Sequence, residues 1–162
     1  MRMLKVITGN LLTAFQEGKV NTIGHQCNCF SEMGAGIAKQ IKLQFPGAYE
    51  VDQAWAASPE ERLGKITYWN DGDKRIFNLY GQFHYGVGVR QTDYDALKNS
   101  MTLMLEEIKE AERNNPEYQA IIGFPYMIGC GLAGGDWAVV EKIIEDVFVT
   151  EGGRDVYLYK LQ

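Results

Sequence analysis

The apolar residues of this chain fall into short β-branched runs that alternate with stretches of helical spacing. Met3 to Ile7 is the first such run and ends at Thr8-Gly9-Asn10, which predicts a buried strand and a turn. Thr22 to Asn28 predicts a second strand. From Gly36 to Phe45, the residues Ile37, Ala38, Ile41 and Phe45 recur at helical spacing until Pro46 stops the pattern. Tyr49 to Trp55 predicts a short helix, and Ser58-Pro59-Glu60-Glu61 opens another turn. Gly64 to Trp69 and Arg75 to Tyr80 read as strands joined through Asn70-Asp71-Gly72-Asp73, a hairpin signal. Asp93 to Arg113 sets Leu97, Met101, Met104, Leu105 and Ile108 on one helical face, and Asn114-Asn115-Pro116 ends it. Ala120 to Phe124 predicts a strand, Asp136 to Val149 a helix and Asp155 to Leu161 a closing strand. This order predicts an α/β fold in which a mixed sheet carries helices on both faces.

Composition narrows the partners. The 162 residues suit one domain with its own core, and 46% apolar with 23% charged residues is ordinary for a globular chain. Twenty-one acidic residues against 16 basic ones give a net charge of −5. With no Lys/Arg run to displace counterions from a phosphate backbone, general nucleic-acid binding is not expected. One small anion remains possible, because backbone N–H groups at a helix N-terminus bind phosphate without lysine. No window approaches about 18 uninterrupted apolar residues and no signal-peptide core follows the N-terminus, so a cytoplasmic protein without a membrane partner is expected.

Chemistry gathers in two glycine-rich loops, each between a predicted strand and a predicted helix. The first runs from Asn28 to Gly36, and the second from Pro125 to Gly135. In such sheets ligands lie at the carboxyl ends of strands, and glycine lets a ligand approach main-chain amides. These glycines serve either turns alone or a clamp for a diphosphate. Asp136 stands where an N-cap would be, before Trp137-Ala138-Val139. Cys27, Cys29 and Cys130 lack zinc-knuckle spacing, so no metal is expected, and they read as small packed thiols.

Three stretches, "VITGNLL", "GHQCNCFSEMGAGIAKQI" and "IGFPYMIGCGLAGGDWAVVEKIIEDVF", extend this pattern over nearly the whole chain. Together they resemble the macrodomain family of ADP-ribose-binding modules. The resemblance is to the branch of yeast-type ADP-ribose 1''-phosphate phosphatases and terminal ADP-ribose-protein glycohydrolases. It implies a single macrodomain over residues 1–162, a three-layer α/β/α sandwich with a mixed central sheet, binding ADP-ribose or a derivative with no cofactor. It also implies that Asn28 bonds the distal ribose and that Gly34, Ala35, Gly36 and Ile37 form the first diphosphate loop. Ile128, Gly129, Cys130, Gly131 and Leu132 would form the second loop, with Gly9 and Asn10 at the adenosine end.

Asn10 stands where many macrodomains have an aspartate that accepts from the adenine amino group; an Asn carbonyl accepts without charge assistance. Gln82, Phe83, His84 and Tyr126 are candidates for a wall at the distal ribose. Phe83, Tyr85 and Tyr126 either stack there or pack the loop, and His84 is either an acid or base or a surface residue. Glycohydrolases of the branch use a lysine after the central strand, but Gln82 occupies that place and an amide cannot form a Schiff base. Phosphatases of the branch use a histidine after the second strand and an aspartate near the second loop, matched by His25 and Asp136. The resemblance therefore implies a phosphatase converting ADP-ribose 1''-phosphate to ADP-ribose and phosphate, with His25 and Asp136 catalytic. The alternatives are an ADP-ribosyl hydrolase acting on a modified macromolecule and a non-catalytic ADP-ribose-binding module.

Overall fold

The computed structural model describes residues 2–86 and 88–162; Val87, in the predicted loop after Gln82, lies outside the described residues. Among the described residues there are six strands: β1 (Leu4–Thr8), β2 (Thr22–Gln26), β3 (Ile66–Asp71), β4 (Lys74–Leu79), β5 (Ile122–Pro125) and β6 (Val156–Lys160). They form one sheet in the order β1-β6-β5-β2-β4-β3. Every neighbouring pair is parallel except the β3–β4 hairpin, which turns through Gly72-Asp73 between the paired Asp71 and Lys74.

Parallel strands need apolar cover on both faces. On one face lie α1 (Leu11–Gln16), α2 (Gly36–Gln44) and α3 (Pro46–Ala54), burying Phe15, Val20, Ile23, Ile41 and Ile76. On the other lie α5 (Tyr94–Asn114) and α6 (Trp137–Ile144), the latter continued by a π-helical segment, Glu145–Glu151. Their core contains Phe77, Leu97, Met101, Met104, Phe124, Ile144 and Phe148. The single turn α4 (Pro59–Arg62) is closed by a capping box between Ser58 and Glu61. The result is the predicted α/β/α sandwich. Among the described residues, no helix is long and apolar enough to cross a membrane.

Some boundaries differ from the periodic pattern for local reasons. The six-residue α1 is too short to register as a period; the Asn10 cap and the burial of Leu11, Leu12, Ala14 and Phe15 define it. Pro46 both ends α2 and occupies the first turn of α3, so α3 begins earlier than Tyr49. Strand β2 stops at Gln26, which leaves Cys27 and Asn28 in the following loop. Because β1, β2, β4, β5 and β6 run in one direction, the loops after them share one edge of the sheet.

Candidate functional site

At that edge three adjoining cavities form a groove. The first, about 610 Å³, lies between the ends of β1 and β6 and is lined by Asn10, Leu11, Gln40, Met127, Tyr159 and Lys160, among others. The second, about 250 Å³, is bounded by Ala35, Gly36 and Ile37 on one side and by Ile128, Gly129, Gly131 and Leu132 on the other. The third, about 550 Å³, is lined by Asn28, Glu32, Met33, Gly34, Gln82, Tyr85 and Gly86, with Gln26 and Cys27 at its base. Gly36, Ile37, Tyr126 and Met127 belong to both the first and second cavities, and Gln26, Ala35, Gln82 and Leu132 to both the second and third. The groove is therefore continuous. Its narrow middle passes between the two predicted glycine-rich loops.

The middle is built to receive negative charge. Helix α2 starts there with Ala35 at its N-cap and no side-chain cap, whereas Asn10, Ser58, Asp93 and Asp136 cap α1, α4, α5 and α6. Unsatisfied first-turn amides and the positive end of the helix dipole favour an anion at such a start.

Across the groove, the second loop is held by side chains from elsewhere. Gln26 Nε2 donates to Gln82 Oε1 at 2.9 Å and to Thr92 Oγ1 at 2.8 Å, and Thr92 Oγ1 donates to the Gly129 carbonyl at 2.7 Å. Gly129 has φ +75°, and a Cβ there would stand 3.0 Å from Gln26 Oε1. Glycine is therefore required at this position both by conformation and by space. Gly131 faces nothing within 4 Å, so a side chain there would enter the groove.

Most predicted ligand-loop residues line the groove. Asn10, Gly36, Ile37, Ile128, Gly129, Gly131 and Leu132 border its first two cavities, and Asn28, Gly34 and Ala35 its third. Two lie behind it. Gly9 packs near the Tyr159 ring, and Cys130 turns its thiol toward the Ile128 carbonyl at 3.4 Å.

The side chains of Asn10 and Asn28 are already engaged. Asn10 Oδ1 accepts from Thr13 N at 3.0 Å as the α1 cap. Asn28 Oδ1 accepts from Phe30 N at 2.9 Å and Glu32 N at 3.3 Å, while Nδ2 donates to the Glu32 carbonyl at 2.8 Å.

The residues expected to wall the distal ribose fall in different places. Gln82 lines the third cavity, but Tyr126 borders the first and second, with Lys160 Nζ 5.1 Å from its ring centroid. Phe83 packs edge-on against Phe30 at 5.2 Å, beside buried Cys27, Cys29 and Tyr80. His84 is exposed, stacks on Tyr85 at 4.6 Å and borders none of the three cavities. Tyr85 lines the third cavity with Gln82.

The predicted catalytic pair is not brought together. His25 is fully buried, and its Nε2 lies 2.7 Å from Oδ1 of Asn78, its register partner on β4. Asn78 Nδ2 donates to the Ala48 carbonyl and to Thr67 Oγ1, which leaves Oδ1 as the acceptor and puts the proton on His25 Nε2. Burial pushes the His25 pKa down to about 4, against the opposing effect of the Asn78 bond, so the ring is neutral and structural. Asp136 is exposed, and its Oδ1 accepts from Ala138 N at 3.0 Å as the α6 cap. It borders none of the three cavities.

A buried polar cluster lies behind the third cavity. Asp52 Oδ1 accepts from Tyr80 Oη at 2.6 Å and Arg62 Nη1 at 3.1 Å, and the same Nη1 donates to Ser31 Oγ at 2.8 Å. Ser31 occupies the left-handed region at φ +57°. Burial raises the Asp52 pKa against the opposing effects of Tyr80 and Arg62. Burial also raises the Cys27 thiol and lifts Cys29 and Cys130 to about 11, so none supplies a thiolate near neutrality. Among the described residues, no group of three His, Cys, Asp or Glu side chains could hold a metal ion.

Several groove residues were absent from the sequence reading. Tyr159 and Lys160 arrive through the β1–β6 pairing, and Gln26 through the end of β2. Glu32 lay within the singled-out glycine-rich stretch, between Asn28 and Gly34. It is the one carboxylate among the described residues lining the three cavities, and Lys160 the one amine.

No family model matches the chain. It is 34% identical over 150 residues, 88% of each chain, to the uncharacterized 17.5 kDa protein in the tk-vs intergenic region of Enterobacteria phage T4. It is 27% identical over 161 residues to a DNA ADP-ribosyl glycohydrolase of Mycobacterium tuberculosis, covering 97% of this chain and 42% of that protein. The chain thus spans about two-fifths of that glycohydrolase's length. The macrodomain of Thermus aquaticus DarG superposes with a TM-score of 0.73 over 98% of this chain and 99% of its own, at 23% identity.

Proposed function

We propose that the chain, which has the fold of the macrodomains, is itself a macrodomain, binds ADP-ribose along the groove and hydrolyses an ADP-ribosyl linkage on a macromolecule. On this reading one macrodomain over residues 1–162 carries the complete site. Adenosine occupies the cavity between Asn10 and Lys160, the diphosphate crosses the uncapped α2 start, and the distal ribose enters the cavity at Asn28 and Glu32. The observation that carries the reading is the three-part groove, with its anion-favouring middle and a third cavity large enough for a sugar. Its similarity to DNA ADP-ribosyl glycohydrolases supports an acceptor on DNA. The acidic net charge suits engagement of one modified nucleotide rather than a long phosphate tract.

A phosphatase would need His25 and Asp136, but burial removes His25 from any terminal phosphate and the Asp136 carboxylate caps a helix. The discriminating experiment offers two substrates, an oligonucleotide bearing one ADP-ribosylated base and ADP-ribose 1''-phosphate, and follows free ADP-ribose and inorganic phosphate by chromatography. Release of ADP-ribose from the oligonucleotide, with no phosphate from the ester, is expected. Calorimetric binding of ADP-ribose with neither reaction would make the protein a binding module.

A further inference from the structure

We infer that Glu32 is the catalytic acid/base of the third cavity, in a lysine-independent hydrolysis; this rests on the glycohydrolase reading above. The position that would carry an amine nucleophile is Gln82, whose Nε2 donates to the His84 carbonyl at 2.7 Å and whose Oε1 accepts from Gln26. His25 is sealed in the interior, and the neutral Cys27 thiol is no base. Glu32 is exposed and lines the cavity assigned to the distal ribose.

The backbone around Glu32 is held from both sides. The Asn28 carboxamide takes the Glu32 N–H and bonds its carbonyl, at 3.3 and 2.8 Å. The preceding residue, Ser31, is kept at φ +57° while its hydroxyl accepts from Arg62, itself paired with buried Asp52. The following residue, Met33, is an apolar plug at 2% exposure. A non-glycine residue in the left-handed region persists where its surroundings over-determine it. Here those constraints fix the loop while leaving the Glu32 side chain free to reach the cavity. Asn28 thereby becomes a positioning residue for Glu32 as well as a cavity-lining group.

The reaction balances without any further reactant. Glu32 takes a proton from a water as the water oxygen bonds to C1'' of the distal ribose. The C1''–N bond to the nucleobase breaks, its electron pair stays on the base nitrogen, and Glu32 returns the proton to that nitrogen. Water and the ADP-ribosylated oligonucleotide give ADP-ribose and the oligonucleotide with its base unmodified.

The test uses the oligonucleotide bearing one ADP-ribosylated base. Glu32→Gln is expected to lower turnover about 10²-fold or more. Its calorimetric affinity for ADP-ribose is expected to stay within about threefold of the parent. Formate is expected to restore part of the turnover of Glu32→Ala, and quenching with cyanoborohydride is expected to leave no ADP-ribosyl-lysine adduct. Turnover of Glu32→Gln within about threefold of the parent, or a trapped lysine adduct, would overturn the assignment while leaving the glycohydrolase reading in place. A parent protein that binds ADP-ribose but releases none from the oligonucleotide would overturn both.

Discussion

Gly131→Glu tests the groove at its narrowest point. Nothing lies within 4 Å of the position a Cβ would take at Gly131, and the residue is exposed, so the substitution leaves the fold in place and projects a carboxylate into a cavity of about 250 Å³. A bound diphosphate would then meet a like charge at roughly 5 Å, worth about 3 kcal/mol per charge pair at an effective dielectric near 20 and under 1 kcal/mol in bulk water. Because Gly131 faces solvent on one side, a net penalty of about 2–4 kcal/mol is expected, which weakens ADP-ribose binding roughly 30- to 1,000-fold. Calorimetry with ADP-ribose reads this directly, with an unchanged melting temperature as the fold control. The neutral Gly131→Gln separates bulk from charge, and added salt should recover part of the loss for Glu alone. A Gly131→Glu protein binding within about threefold of the parent would refute the passage of the diphosphate through this cavity.

Three further outcomes follow from the buried polar groups and the caps. His25 has its pKa pushed down to about 4 in the fold, so the unfolded chain takes up its proton first as pH falls. Its contribution is complete above about pH 6.5 and declines toward pH 4, by about 2 kcal/mol at pH 5 and about 3 kcal/mol in all. Urea melts of the parent and His25→Gln should differ by this pH-dependent component, with ADP-ribose release by the variant unchanged at neutral pH. Arg62→Met strands the buried Asp52 carboxylate and should cost about 3–5 kcal/mol, partly regained by adding Asp52→Asn; equal melts for the single and double variants would contradict the ion pair. Asp136→Ala removes the α6 cap and should lower stability by about 1 kcal/mol while leaving ADP-ribose affinity and turnover unchanged; a selective loss of turnover would make Asp136 a catalytic residue.

Much of this architecture was legible in the chain because it is encoded locally. The face of α5 was visible as Leu97, Met101, Met104, Leu105 and Ile108, all of which are buried. The β3–β4 hairpin was visible at Gly72-Asp73, and the two glycine-rich loops between strands and helices proved to border the middle of the groove. The first turn of α3 was misplaced because Pro46 acts as a stop and a start at once, and α1 was too short for its period to stand out.

Accessibility could not be read in the same way. That His25 lies in a strand does not say what covers its side chain. Asn78 on β4, paired in register with His25, and the Ala48 carbonyl of α3 enclose the imidazole and turn an apparent catalytic base into a neutral core residue. Likewise, Asn10 meets Tyr159 and Lys160 at the first cavity because β1 pairs with β6. Glu32 faces the third cavity from a loop held by Asn28 and, through Ser31, by Arg62. Sequence alone determined where the chain turns and which loops are rich in glycine, since these depend on backbone torsion and local spacing. Tertiary structure decided which polar groups meet the ligand, since burial and approach depend on elements far apart in the chain.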